Sequence, residues 1–561
     1  MDNLRLVLWA GFFVLLWLGV NQWNSDYGAP NPPSAVSTQT NAAPTQTNNN
    51  TKEASGVLGL SDNLPVIAIE NGPTETSEKP RLSTRLVTVT TDVFELSINP
   101  DRGGDIVQAK LLNYFPNKDD KSKKIELLSY NEDNYQYFQT GLLSLSGLPE
   151  PNHQQAFLET DRKIELREGQ EQVSTSLVWK IKQDQTNLEV KKSYTFQRGR
   201  YDILLTYDIK NLGTQDYTFV LYNQLVKKDK KAERSMFNVE TYSYNGPIIY
   251  NGESYQKIDT AELADTPLRE THTNGWASNI QHHFLVAMVP EQNQPYTFSA
   301  SSDPANELYK VAMVGQTPVT VRPGSRAQVS TTFFVGPKIQ EQLKDVAQGL
   351  ELSVDFGKLT FLSAPLFWLL NKTHQLVRNW GLAIILVTLL IKLLFYPLTE
   401  ASGRSMAKMR KVQPRIKAIQ DRHKDDKQAQ SQAMMELYKK EKVNPMAGCL
   451  PMLIQIPFFI AFYWVLLESV EIRQAPFFLW IQDLSSRDPY FVLPLLMGLG
   501  MFFQQKLNPA PPDPMQAKIM TAMPIMFTAM FAFFPSGLVL YWLTNSLLSI
   551  AQQWKINRAA Q

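Results

Sequence analysis

Apolar residues recur along this chain with two different periods, and each period predicts a different kind of element. From about residue 60 to 335 the period is two. RLVTVTTDVFELSINP, STSLVWKIKQ, NLEVKKSYTF, YDILLTYDIKNLG and RAQVSTTFFVG alternate apolar and polar positions, with Gly, Asn, Asp and Pro between them. Successive side chains of a strand point to opposite faces, so the pattern predicts a large antiparallel β domain, a sandwich, over residues 58–350. Its last stretch, PKIQEQLKDVAQGL (337–350), reads as a helix leading away. Beyond it, LTFLSAPLFWLLNKTHQL is apolar but interrupted, which predicts an amphipathic interfacial helix within residues 351–376.

Five continuous apolar runs follow, at about 377–398, 450–467, 490–505, 519–534 and 537–554. Several fall short of the roughly 20 residues that span a hydrocarbon core. Their number, scarcity of charge and Phe/Met content favour a membrane bundle in a locally thinned bilayer over the core of a soluble protein. The amino end, MDNLRLVLWAGFFVLLWLGVNQW, has Arg5 and then an uncharged run over 6–20. A cleaved signal peptide looks similar, but Trp23 and polar bulk stand where small cleavage-site residues belong. The expectation is an uncleaved anchor over 1–23, followed by a flexible linker over 24–57, where almost no apolar residue occurs. In residues 400–444, Met406, Met409, Val412, Ile416 and Ile419 recur every three or four positions, as do Met434, Leu437 and Tyr438. HKDDK separates the two series, so a helical hairpin is expected. The fold class is thus a multi-domain integral membrane protein, an all-β domain plus an α-helical bundle. Six transmembrane helices are expected, five of them in a core over 377–561.

Charge fixes the expected orientation. Net charge is +2 over 561 residues, from 55 basic and 53 acidic side chains, so no bulk excess argues for nucleic acid. The basic residues are unevenly placed. Twelve Lys and Arg lie in 400–444, whereas residues 471–489 hold only Arg473 and Arg487. Positive-inside logic puts the first loop in the cytoplasm and the second outside. With Arg5 holding the amino end in the cytoplasm, six spans return the C-terminus there, where Lys555 and Arg558 agree. The β domain is then periplasmic in a Gram-negative inner membrane. On periodicity alone the hairpin's basic face reads as plainly solvated rather than as resting on anionic headgroups or docking a partner. The single cysteine, Cys449, excludes a disulfide within the chain and argues against a cysteine metal site.

One charge stands out. VTLLIKLLFYPLT (387–399) places Lys392 inside a run otherwise fit for lipid, where a charge costs at least ~2.5–3.5 kcal/mol. On a continuous helix Thr388, Lys392, Tyr396 and Thr399 share one face. Tyr541, Asn545, Ser549 and Gln552 repeat that spacing in the last run, and Gln455 sits near the start of the third. Uncharged polar groups in membranes often only join helices, and snorkelling is a competing account of Lys392. The stripes favour a water-filled groove open to the cytoplasm, whose cation attracts acidic or polar stretches of another chain. A polytopic transporter or channel using Lys392 in a substrate path is the alternative; no internal repeat supports it. An exported enzyme is the remaining rival. His153, His272, His282 and His283 include an adjacent pair that would point to opposite faces of a strand, a poor metal site, and no nucleophile motif or phosphate loop is evident.

NWGLAIILVTLLIKLLFYPLT, SMAKMRKVQPRIKAIQ, EKVNPMAGCLPMLIQIPFFIAFYWVL, SVEIRQAPFFLWIQDLS and FPSGLVLYW resemble the YidC-type membrane protein insertases, relatives of the mitochondrial oxidase-assembly and chloroplast Albino proteins. The resemblance covers the whole layout. It implies a β-supersandwich outside, a hydrophilic groove within five core helices, no covalent chemistry and no cofactor. The family's groove charge falls on Lys392, where many bacterial members carry arginine. The groove is expected to use Lys392, Thr388, Gln455, Tyr541, Trp542 and Asn545, and a client-contacting slide Phe459, Met497 and Met530. Implied partners are nascent membrane proteins, the Sec translocon, the lipid bilayer, and a ribosome–nascent chain complex with its targeting receptor at hairpin 400–444. The chain stops soon after Arg558, so ribosome docking by a long basic tail is not expected.

Overall fold

Leu188, Val190, Tyr194 and Phe196 alternate inward along strand Thr186–Gln197, whose hairpin partner is Gln172–Gln183. The same alternation repeated through twenty strands builds the two sheets of the sandwich. The computed structural model describes residues 85–559 apart from 132–133, 230–242, 424–425, 442–449 and 508–513; the expected anchor at 1–23 and linker at 24–57 lie outside them. Eleven strands form one sheet and nine the other, with strands running from Val87 to Pro337. Pairing is antiparallel except between Val87–Thr90 and Lys163–Glu165. Apolar side chains from both inner faces, among them Phe138 and Phe333 with ring centroids 4.4 Å apart, close the core between the sheets.

The inner face is not wholly apolar. Lys192 falls in the inward register of its strand and is fully buried. Its Nζ donates to the Gly103 carbonyl at 2.7 Å and lies 5.4 and 5.5 Å from the ring centroids of Tyr194 and Tyr207. Desolvation pushes its ammonium pKa down and pushes the buried Asp105 carboxyl up.

The helices follow in chain order: α1 Gln340–Val346, α2 Thr360–Val377, α3 Trp380–Leu394, α4 Tyr396–Arg422, α5 Lys427–Lys440, α6 Leu450–Glu468, α7 Val492–Leu507, α8 Pro514–Phe531 and α9 Ser536–Ala559. Several boundaries differ from expectation. α1 is shorter than the predicted 337–350, because Pro337 still pairs with Phe284 in the sheet. The expected helix over 351–376 begins only at Thr360; 3-10 turns at Leu350–Ser353 and Gly357–Leu359 precede it, with Gly357 at φ +67°. α2 buries Leu366, Phe367 and Leu370, while Phe361, Trp368 and Leu376, which are apolar too, are exposed.

The run at 377–398 is not one helix. α3 stops at Leu394, α4 starts at Tyr396, and the two axes are bent by 68°. Pro397 supplies the reason: it has no N–H to donate, and its ring would meet the Leu393 carbonyl if the helix continued. In the first turn of α4 the same proline is tolerated. Among the described residues no single helix is both long and apolar enough to cross a bilayer, and α3 with α4 passes only as a bent pair. The predicted hairpin therefore starts at Tyr396 and its helices end at Lys440. Val412 and Ile416 of α4 pack with Met434, Leu437 and Tyr438 of α5 in a small separate core.

The strands meet the helices at one seam. Ser243 Oγ donates to Glu468 Oε1 at 2.5 Å at the end of α6, and Arg473 donates to the Phe115 carbonyl at 2.7 Å. His282 and His283 sit here in a turn, not a strand, with rings 3.8 Å apart, so they do not point to opposite faces.

Candidate client groove

The groove begins at Asn379, whose side chain accepts from the Leu382 N–H at 3.0 Å and caps α3. Gly381 lets this end approach Phe477 closely; a Cβ there would lie 2.0 Å from the Phe477 ring. Ala383, Ile384, Val387 and Thr388 then bury one face of α3 against the bundle. One turn beyond Thr388, that face opens onto a recess whose empty space, open solvent included, is about 450 Å³. α3 lines it with Thr388, Ile391 and Lys392, and the bend at Phe395 turns Leu398 and Thr399 back towards it. α6 contributes Ile454, Gln455 and Phe458, and α9 contributes Tyr541 and Asn545.

Five of the six expected groove residues thus share one cavity: Lys392, Thr388, Gln455, Tyr541 and Asn545. Trp542 does not. Neighbours on a helix are about 100° apart, so Trp542 faces away and packs on Phe459, with centroids 4.9 Å apart, and Phe531, at 5.4 Å. Tyr396 is also absent from the lining, because the helix break ends the face it was to share with Lys392. Gln455 carried a polar signal in the sequence; Ile454, Phe458 and Leu398 carried none, being apolar residues among many.

Lys392 is half-buried, and its Nζ donates to Ser549 Oγ at 2.8 Å. That hydroxyl donates in turn to the Asn545 carbonyl at 2.8 Å. Thr388 Oγ1 is spent on its own helix, donating to the Ile384 carbonyl at 2.6 Å. Among the described residues no carboxylate lies within ion-pairing distance of Lys392. A lone ammonium therefore faces a mixed polar and aromatic chamber, with two of its three N–H donors available to an incoming group.

The expected slide is only partly a surface. Met530 is 42% exposed, and Phe459 is partly covered by Phe531 and Trp542. Met497 is fully buried. α7 packs along α9 and α8, with Gly498 so close to Thr528 that a Cβ would clash, and this contact encloses Met497. It offers no surface in this arrangement.

Two family models match successive parts of the chain: "YidC periplasmic domain" over residues 86–369 and "60Kd inner membrane protein" over residues 372–561. Relatives named membrane protein insertase YidC match along the whole length. That of Thioalkalivibrio sulfidiphilus is 44% identical, covering all of this chain and 98% of its own. That of Stutzerimonas stutzeri is 41% identical with the same coverage, and that of Alkalilimnicola ehrlichii is 47% identical over 84% of this chain and 83% of its own. A β-sandwich of periplasmic-domain type followed by a helical region with a cationic chamber, and relatives this similar over full length, lead to one conclusion: the chain belongs to the YidC family of membrane protein insertases.

Proposed function

We propose that this inner-membrane insertase receives a nascent membrane protein in the α3–α6–α9 chamber, and that Lys392 draws in the polar segment to be translocated. The carrying observation is the half-buried ammonium, held by a hydroxyl and facing no carboxylate. Two unit charges 4 Å apart attract by ~4 kcal/mol at an effective dielectric of 20. That gross attraction is of the same size as the ~2.5–3.5 kcal/mol that an acidic side chain costs on entering a bilayer. The cation therefore offsets the main obstacle for an acidic tail, and no bond is made or broken. The client's apolar helix then leaves sideways along exposed Met530 and the Phe459 edge, a pliable surface suited to varied sequences.

In this reading the sandwich is periplasmic, both termini and the α4–α5 hairpin are cytoplasmic, and six spans include the bent pair. The exposed basic side chains of the hairpin, such as Lys408, Arg410 and Lys411, are the contact for ribosome–nascent chain complexes and a targeting receptor, and the Sec translocon shares some clients. Crosslinkers at Thr388, Gln455 and Asn545 should capture a stalled nascent membrane protein. Lys392→Glu should lower insertion of acid-tailed clients more than tenfold, while Lys392→Arg keeps it. Normal insertion of such clients by Lys392→Glu would sink the electrostatic step.

A further inference from the structure

α9 touches both arms of the broken helix. Ser549 accepts from Lys392, three residues before Phe395, at 2.8 Å. Gln552 Nε2 donates to Thr399 Oγ1, four residues after Phe395, at 2.7 Å. Ser549 and Gln552 are three apart and so lie on the same face of α9. Neither bond is local: the partners are 157 and 153 residues apart in sequence. Each acceptor is itself fixed, Ser549 Oγ by the Asn545 carbonyl and Thr399 Oγ1 by the Phe395 and Tyr396 carbonyls. The contact continues one turn further, where a Cβ on Gly403 of α4 would lie 2.6 Å from Ile556 Cδ1.

We propose that Ser549 and Gln552 are positioning residues, a staple across the α3–α4 break that sets the depth of the Lys392 ammonium in the groove. The inference rests on the groove reading above and extends it to residues that touch no client. A lysine has four rotatable bonds and loses up to ~2 kcal/mol of rotamer freedom when fixed. An untethered Lys392 would spread toward the aqueous end of the chamber, and each client would bear the cost of recalling it. Ser549 bears that cost in advance while using one of three donors. Gln552 keeps Thr399, and with it the start of α4, at a set distance from the same face. Movement of the hairpin relative to α9 is thereby transmitted to the position of the cation.

The test uses the full chain in proteoliposomes and two versions of one single-span client, with a short translocated tail carrying either two Asp or two Asn. Ser549→Ala should lower insertion of the Asp version about fivefold, the size of one ordinary hydrogen bond, and leave the Asn version unchanged. Ser549→Thr, which keeps the hydroxyl, should restore it. Gln552→Leu should act in the same direction, about threefold. In a Lys392→Met background Ser549→Ala should have no further effect. Equal losses for both clients, or a loss that persists with Lys392→Met, would mean that Ser549 merely stabilises the bundle, and would overturn the proposal. If Lys392→Met itself spares the Asp client, the groove reading fails; if it impairs that client while Ser549→Ala does not, only the staple fails.

Discussion

The strand region and the helical region hide opposite things. Among the described residues, large apolar side chains are exposed at only four positions in the strand region, Leu145, Leu158, Leu204 and Leu212, but at twenty-five positions from Phe361 onward. Conversely, the sandwich buries lysines outright, Lys192, Lys310 and Lys338, whereas the one lysine among the apolar runs of the bundle, Lys392, sits in an open chamber. A water-facing fold can enclose a few charges if its interior supplies partners, and must cover its apolar surface. A lipid-facing bundle has no reason to cover apolar surface, and a charge in it needs a wet recess. The same amino-acid type is therefore enclosed in one half and left accessible in the other.

The sharpest way to break this contrast is to remove the buried cation of the sandwich. Lys192→Met removes a charge that acts on buried Asp105 and leaves the Gly103 carbonyl without its donor, and should cost about 3–5 kcal/mol. Hydrogen exchange on strands Gln136–Ser144 and Thr186–Gln197 would read it, while crosslinking of clients from Asn545 should persist. A loss below about 1 kcal/mol in those strands would show that the buried ammonium contributes little.

A matched pair of leucines tests the two solvents directly. Leu499 is 55% exposed on α7 and Leu204 is 43% exposed on a strand. Leu499→Lys should cost ~2.5–3.5 kcal/mol if lipid covers it, whereas Leu204→Lys should stay within about 0.5 kcal/mol. Denaturant titration in detergent micelles and in vesicles would measure both; equal costs would mean that the surfaces see the same medium.

Acid sensitivity should reside mainly in the sandwich. Burial first, and then repulsion from Arg102, Lys192 and Lys310, holds His153 down at about 4, and its Nδ1 lies 2.6 Å from the Tyr222 hydroxyl. The unfolded chain, titrating near the ordinary value of about 6.5, takes up the proton first. The stability His153 contributes is therefore present above about pH 6.5 and lost as pH falls toward about 4, by about 2–3 kcal/mol. Asp105, raised by burial, works in the opposite sense, so the readout is the difference between wild type and His153→Gln. The variant should lose that part of the acid limb; identical limbs would remove His153 from the account.

The smallest effect belongs to the hairpin, which follows neither rule. Arg415 and Glu441 pair at 2.5 Å, with Arg415 66% exposed. Solvent screens such a pair, so Arg415→Ala should shift local α4–α5 exchange by less than about 1 kcal/mol.

Much of this was legible in the chain. Period-two alternation in YDILLTYDIKNLG names a strand without reference to its partner, and the paired register Asp202↔Phe334 through Lys210↔Arg326 follows it. Lys392 announced itself by cost alone. The errors came where geometry departs from an ideal lattice. A straight helix through Pro397 would have put Tyr396 in the groove, and the family correspondence did not show that Trp542 lies outside the chamber or that Met497 is buried between helices. Ser549 and Gln552 were visible as a polar stripe, but nothing local said which groups they would meet.

The sequence by itself determined the division of the molecule into a water-facing and a lipid-facing half, and the rarity of charge in the second. Both depend on hydrophobicity and period, which are properties of residues and of their near neighbours. Only the tertiary structure decided which polar groups converge on Lys392, because Ser549 reaches its ammonium and Gln455 its chamber through helix crossings and a 68° bend. Such distances are set by packing between elements far apart in the chain, and no local pattern encodes them.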